Sequence, residues 1–216
     1  IDIREIQVTL DVFPEERRVE GRARLTFSMR PGQRRPIVHL DPGAAGDWRG
    51  SLDGQPLDGR SPADARVVVF DGSTQRAIEI QRDLDAGGEH VLEMSYRPTF
   101  VDAFARFSTD VNDLEGRGNE AFWPTLNTPH ELARHILTLR VHSTRPYVGV
   151  GSALFERTGA SDAQEWRLDS EREVASYTIL FHLAPAADVT VAERRIAGVD
   201  VRVLSPVGGP APEEAF

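Results

Sequence analysis

Hydrophobic and polar residues alternate with a period of two through most of this chain. Ile6, Val8, Leu10 and Val12 alternate with Glu5, Gln7, Thr9 and Asp11, and Ala23, Leu25, Phe27 and Met29 with Arg22, Arg24, Thr26 and Ser28. Successive side chains of a strand point to opposite faces, so the pattern predicts half-buried strands with one face on a core and one in water. Between them, Pro14-Glu15-Glu16-Arg17-Arg18 reads as a polar hairpin loop.

Shorter strands are expected at Ile37–Leu40, Asp47–Leu52, Arg66–Phe70, Ala77–Gln81 and His90–Tyr96, and again at Ile136–His142, Val148–Ala153, Glu165–Asp169, Val174–Leu183, Asp188–Arg194 and Val199–Leu204. Asp53-Gly54, Asp71-Gly72 and Gly87-Gly88 supply the positive φ of tight turns. The apolar run Ala175–Leu183 suggests a strand central in a sheet. From Arg97 to Asn127 the alternation stops; this Gly-rich stretch with Phe100, Phe104, Phe107, Phe122 and Trp123 reads as a long functional or self-packed loop. No three-turn amphipathic helix occurs, and Pro129–Arg134 offers one helical turn at most. The expected fold is all-β: a twisted β-sandwich or saddle of about a dozen mostly antiparallel strands with little helix. Residues 1–204 read as one domain, and residues 205–216 (SPVGGPAPEEAF) as a linker toward a further domain.

Of the 216 residues, 40% are hydrophobic, enough for a sizeable core. A net charge of −9 argues against nucleic acid as a partner. No stretch approaches the roughly 20 apolar residues of a transmembrane helix, so no membrane segment is expected. The sequence does not fix the compartment; a soluble protein is expected, with the cytoplasm favoured. Absence of cysteine removes disulfides, thiol catalysis and thiolate–metal sites. All 25 basic residues are arginine, which removes lysine nucleophiles and the P-loop lysine and suggests a GC-rich bacterial genome.

His130-Glu131-Leu132-Ala133-Arg134-His135 imitates a zinc-peptidase helix, H-E-x-x-H. Its histidines are five apart instead of four, which on a helix turns them roughly 140° from each other. The alternation of Ile136, Thr138 and Arg140 with Leu137, Leu139 and Val141 beyond it is that of a strand. The remaining histidines, His39, His90, His142 and His182, read as ordinary strand or loop imidazoles, so no metal ligands and no catalytic residues are assigned. No G-x-S-x-G elbow occurs, and Gly149-Val150-Gly151-Ser152 reads as a strand edge with close backbone approach.

Glu115-Gly116-Arg117-Gly118-Asn119-Glu120-Ala121-Phe122-Trp123-Pro124-Thr125-Leu126-Asn127-Thr128-Pro129 carries a family signature. It resembles the E-x-x-G-A-x-x-W-F-P-x-N-D-x-P segment in the N-terminal domain of the aminopeptidase N / leukotriene hydrolase family of zinc metallopeptidases. Glu20-Gly21, Ile37–Asp41, Val174–Leu183 and Val199–Leu204 resemble further strands of that domain in order, so the resemblance spans nearly the whole chain. It departs at Asn127, where the family has an acid, and in the order Phe122-Trp123.

The resemblance implies a non-catalytic N-terminal β domain that caps the active site of its own downstream catalytic domain and helps bind a peptide's N-terminus. By position, Glu115 is the substrate-binding candidate. No cofactor is expected in this chain; the zinc belongs to the parent's catalytic domain. The alternative is a stand-alone or degenerate β-sandwich binding domain without peptidase activity, with exposed aromatics of Arg97–Trp123 as its contact surface. A third reading makes the chain itself a metalloenzyme through His130 and His135.

Overall fold

The computed structural model describes residues 1–40, 47–69, 76–98, 105–107, 114–117, 122–126, 131–152, 155–158 and 164–209, with backbone alone at 69, 76, 105–107 and 114–117. Among the described residues seventeen strands are present: β1 (Asp2–Phe13), β2 (Arg18–Ser28), β3 (Ile37–His39), β4 (Trp48–Leu52), β5 (Gln55–Asp58), β6 (Ala65–Val69), β7 (Arg76–Ile80), β8 (Glu89–Tyr96) and β9 (Ala105–Phe107) in the first half. They continue with β10 (Leu114–Arg117), β11 (Leu132–Val141), β12 (Tyr147–Gly151), β13 (Phe155–Arg157), β14 (Glu165–Ala175), β15 (Leu180–Pro185), β16 (Val189–Ile196) and β17 (Val199–Pro206). The only helical turns among the described residues are two 3₁₀ turns, Pro14–Glu16 and Ser176–Thr178. The all-β expectation holds, with more and shorter strands than the dozen read from the sequence.

An eight-stranded sheet, ordered β13-β14-β11-β1-β2-β8-β4-β5, forms the main layer. All its pairs are antiparallel except β1 with β11, where Val8 lies beside Leu137 and Leu10 beside Leu139. A four-stranded sheet (β12-β15-β10-β9), a three-stranded sheet (β3-β7-β6) and the hairpin β16-β17 complete the fold. One core joins the first three: Ile6, Leu10, Leu25 and Leu92 from the main sheet, Ile78 and Ile80 from the three-stranded sheet, Phe181 and Leu183 from the four-stranded sheet. The outward row of the main sheet keeps the polar residues of the alternation, as the half-buried pattern requires.

Several expectations are revised. The Arg97–Asn127 stretch is not one loop, because it contains β9 and β10, and β10 lies inside the four-stranded sheet. The run Val174–Leu183 is not one strand. Ser176–Thr178 turns the chain from the main sheet into the four-stranded one, closed by Ile179 N donating to Ser176 O at 3.0 Å and Thr178 Oγ1 donating to Ala175 O at 2.7 Å. Hydroxyl-to-backbone bonding makes this turn without glycine or proline. Leu132–Arg134 belongs to strand β11 instead of a helical turn, while Pro129 and His130 lie outside the described residues, as do Asp71-Gly72 and residues 210–216. Gln55–Asp58 and Phe155–Arg157 are added strands, and β17 runs to Pro206. Asp53 (φ 50°) and Gly54 (φ 77°) form the expected two-residue turn between Leu52 and Gln55.

Candidate functional site

Strand β10 carries Glu115 between two neighbours. Its backbone pairs Glu115 with His182 of β15 on one side and with Arg106 of β9 on the other. In β15, Phe181 and Leu183 are buried in the core, whereas Leu180 is exposed and His182 half-buried. The register puts position 115 level with His182, on the row that alternates with the buried pair. That row belongs to the sheet face turned away from the core. Leu180 (42% exposed), together with Tyr177 and Leu132 (each 48%), leaves apolar surface near this sheet.

Gly149 and Gly151 occupy edge strand β12, where backbone and side chains approach closely. A Cβ on Gly149 would lie 2.5 Å from Phe155 Cε1, and one on Gly151 would lie 2.9 Å from Leu180 O. The strand-edge reading of this motif is therefore correct.

Behind the four-stranded sheet lies a buried polar tie that the sequence did not reveal. His135 Nε2 is 2.8 Å from Ser176 Oγ, and Ser176 Oγ is 2.5 Å from Thr125 Oγ1. His135 Nδ1 is 2.9 Å from Ala133 O, and Thr125 is joined to His39 by backbone hydrogen bonds of 2.7 and 3.0 Å. The tie links β11, the Ser176 turn and β3. Burial pushes the His135 pKa down to about 4 against the smaller upward pull of the Ala133 carbonyl, so the ring is neutral near pH 7. A buried Ser–His contact with both ring nitrogens engaged is a structural hydrogen bond with no access for substrate, and His135 has no lone pair left for a metal. Among the described residues no three or more of His, Asp and Glu gather as a metal-binding group.

The aromatic contact surface loses two of its members. Phe122 and Trp123 are 0% and 1% exposed. Phe122 packs edge-on against Phe181 at 5.1 Å, and Tyr96 Oη donates to Phe122 O at 2.6 Å. Phe104 and the side chain of Phe107 lie outside the described residues. Two further histidines pair with aspartates: exposed His142 through Nε2 with Asp11 at 2.9 Å, and partly buried His90 through Nδ1 with Asp53 at 2.8 Å. No described helix is long and apolar enough to cross a membrane.

No protein-family model and no curated protein matches the sequence. Solved structures do. An M1 zinc metallopeptidase mutant from Deinococcus radiodurans, bound to a Tyr-Ser-Ala substrate, superposes with a TM-score of 0.65 at 18% identity, covering 97% of this chain and 49% of that one. The fold is that found in M1 zinc metallopeptidases. A two-domain M1 metallopeptidase mutant bound to L-tryptophan gives 0.64 at 19% identity over the same shares. Native yeast LTA4 hydrolase gives 0.67 at 12% identity, over 93% of this chain and 31% of that one. The chain thus spans about half the length of the metallopeptidases it matches, consistent with the N-terminal domain that the Glu115–Pro129 signature suggests.

Proposed function

We propose that this chain is the non-catalytic N-terminal domain of a zinc aminopeptidase, covering the active site and contributing Glu115 to recognition of the peptide's free α-amine. The observation that carries the reading is the fold match over 97% of the chain to half of a two-domain zinc peptidase. Glu115 supports it by lying in an interior strand of a sheet, where backbone pairing on both sides fixes the position in a way a solvated loop would not. An ionised carboxylate facing an ammonium group forms a charge-assisted hydrogen bond, stronger than a neutral one. It selects peptides with a free N-terminus, because an acylated one offers no positive charge.

The zinc in this reading is held by the catalytic domain, where it polarises the scissile carbonyl and activates water. This chain's part is to close the site and hold the amine. The exposed apolar residues Leu132, Tyr177 and Leu180 fit a surface covered by that domain. The test is metal analysis and peptidase assay of the full-length protein. One bound zinc per chain and release of N-terminal residues are expected; a full-length protein without zinc or peptidase activity would favour the degenerate binding domain.

A further inference from the structure

The outward face of the eight-stranded sheet has a feature that peptide hydrolysis does not use. Cross-strand register sets Arg22 of β2, Ser95 of β8 and Arg49 of β4 side by side in one row. Ser95 is the small residue in the middle, so the row forms a slot with a hydroxyl floor and a guanidinium on each flank.

The partners of these groups differ. Arg22 Nη2 donates to Asp11 Oδ2 at 2.7 Å, and Asp11 is held in turn by His142. Arg22 is thereby oriented, with donors to spare, since a guanidinium has five. Arg49 and the Ser95 hydroxyl have no hydrogen-bond or ion-pair partner among the described residues. Neighbouring arginines are occupied: Arg24 by Glu93 at 3.0 Å, Arg97 by Glu20 at 3.0 Å, Arg60 by Asp47 at 3.1 Å. The two contiguous grooves that meet at Arg22 and Ser95 are lined by six arginines against four carboxylates. A local excess of positive charge in a chain of net charge −9 runs against the overall field.

We propose that the Arg22–Ser95–Arg49 slot is a binding site for a phosphate-type oxyanion. The planar donor forks of two arginines match tetrahedral oxyanion edges, and the serine hydroxyl supplies a third donor from below. Glu20 and Asp11 lie at one side and limit the site to a ligand presenting a single compact anionic group, such as inorganic phosphate or a phosphomonoester. The site lies on the main sheet, whereas Glu115 lies on the four-stranded one, so it would act independently of substrate recognition.

The test is titration of this chain with inorganic phosphate at low ionic strength by calorimetry, repeated with phosphoserine and with chloride at matched ionic strength. Saturable one-site binding of phosphate is expected, weakened about tenfold in Arg49→Ala and similarly in Arg22→Ala, and unchanged in Arg66→Ala, which lies outside the slot. Ser95→Ala, a mild change on an exposed position, is expected to weaken binding without altering thermal unfolding. Phosphoserine binding as tightly as free phosphate identifies a phosphomonoester head group as sufficient. Absence of saturable phosphate binding, or retention of full affinity in both Arg49→Ala and Ser95→Ala, overturns the proposal.

Discussion

His135 Nε2 accepts a hydrogen bond from Ser176 Oγ at 2.8 Å while both residues are at least 96% buried. The proton pattern follows from the partners. A carbonyl only accepts, so His135 Nδ1 carries the hydrogen toward Ala133 O and Nε2 is left as the acceptor. Ser176 spends its hydrogen on His135, so Thr125 Oγ1 donates to Ser176. The arrangement exists only with neutral His135.

Acid should therefore loosen the fold. The folded-state pKa of His135, about 4, lies below the ordinary 6.5. The unfolded chain takes up the proton first, so stability falls as pH drops from 6.5 toward 4 and levels off below. The loss is about 3 kcal/mol at 1.36 kcal/mol per pKa unit. Ser176→Ala should cost about 1–3 kcal/mol at neutral pH by leaving buried groups unpaired. Urea unfolding between pH 4 and 7 checks both; a flat profile would refute the neutral-histidine tie.

Tyr96→Phe removes the 2.6 Å hydrogen bond to the Phe122 carbonyl inside the core. The predicted cost is about 1–3 kcal/mol, because the carbonyl stays buried without its donor. Thermal unfolding measures it, and fluorescence of the neighbouring Trp123 should report the loosened segment.

Asp53 and His90 make a second pH-dependent contact with the opposite sign. Burial alone would lower the His90 pKa, but the Asp53 and Asp85 acceptors and their charges outweigh it and raise it. Burial would raise Asp53, but the Val91 amide and His90 outweigh that and lower it. The histidine contribution is complete below 6.5 and fades as pH rises through the folded value. The aspartate contribution is complete above 3.8 and fades as pH falls through its folded value. Asp53→Asn, which tolerates the positive φ of the turn, should lower the His90 pKa in an NMR titration and cost more stability at pH 5 than at pH 8, where the histidine is no longer charged. An unmoved His90 titration would show that Asp53 is not its partner.

Gly149→Ala should destabilise by about 1–3 kcal/mol through overpacking, since the new methyl would meet Phe155 Cε1 at 2.5 Å and Leu183 Cδ2 at 2.9 Å. Chemical denaturation decides it, and a neutral substitution would show that β12 is less closely seated than the geometry requires.

What the sequence disclosed depended on range. Ile6 to Val12 and Leu137 to Val141 announce strands because burial alternates residue by residue, and Asp53-Gly54 announces its turn because few residues accept positive φ. The parallel pairing of β1 with β11 joins segments with no local signature. Strand β10 was missed because Leu114-Glu115-Gly116-Arg117 is too short to show a period. Strand β5 was hidden by Pro56, which an edge strand tolerates. The Ser176 turn was misread because Tyr177, Thr178 and Ile179 are strand formers and the bonds that bend the chain come from hydroxyls. Glu115 is proposed on resemblance alone; the His135–Ser176–Thr125 tie, spanning 41 and 51 residues, had no signal short of the fold.

The most direct measurement of the functional reading is steady-state hydrolysis by the full-length protein of a tripeptide with a free N-terminus and its N-acetylated counterpart, in wild type and Glu115→Gln. Wild type is expected to prefer the free amine strongly. Glu115→Gln should lose about ten- to hundredfold in kcat/KM on that substrate, mainly through KM, with the unchanged N-acetyl rate as control. Equal rates on both peptides in wild type, or an unaltered KM in Glu115→Gln, would contradict it.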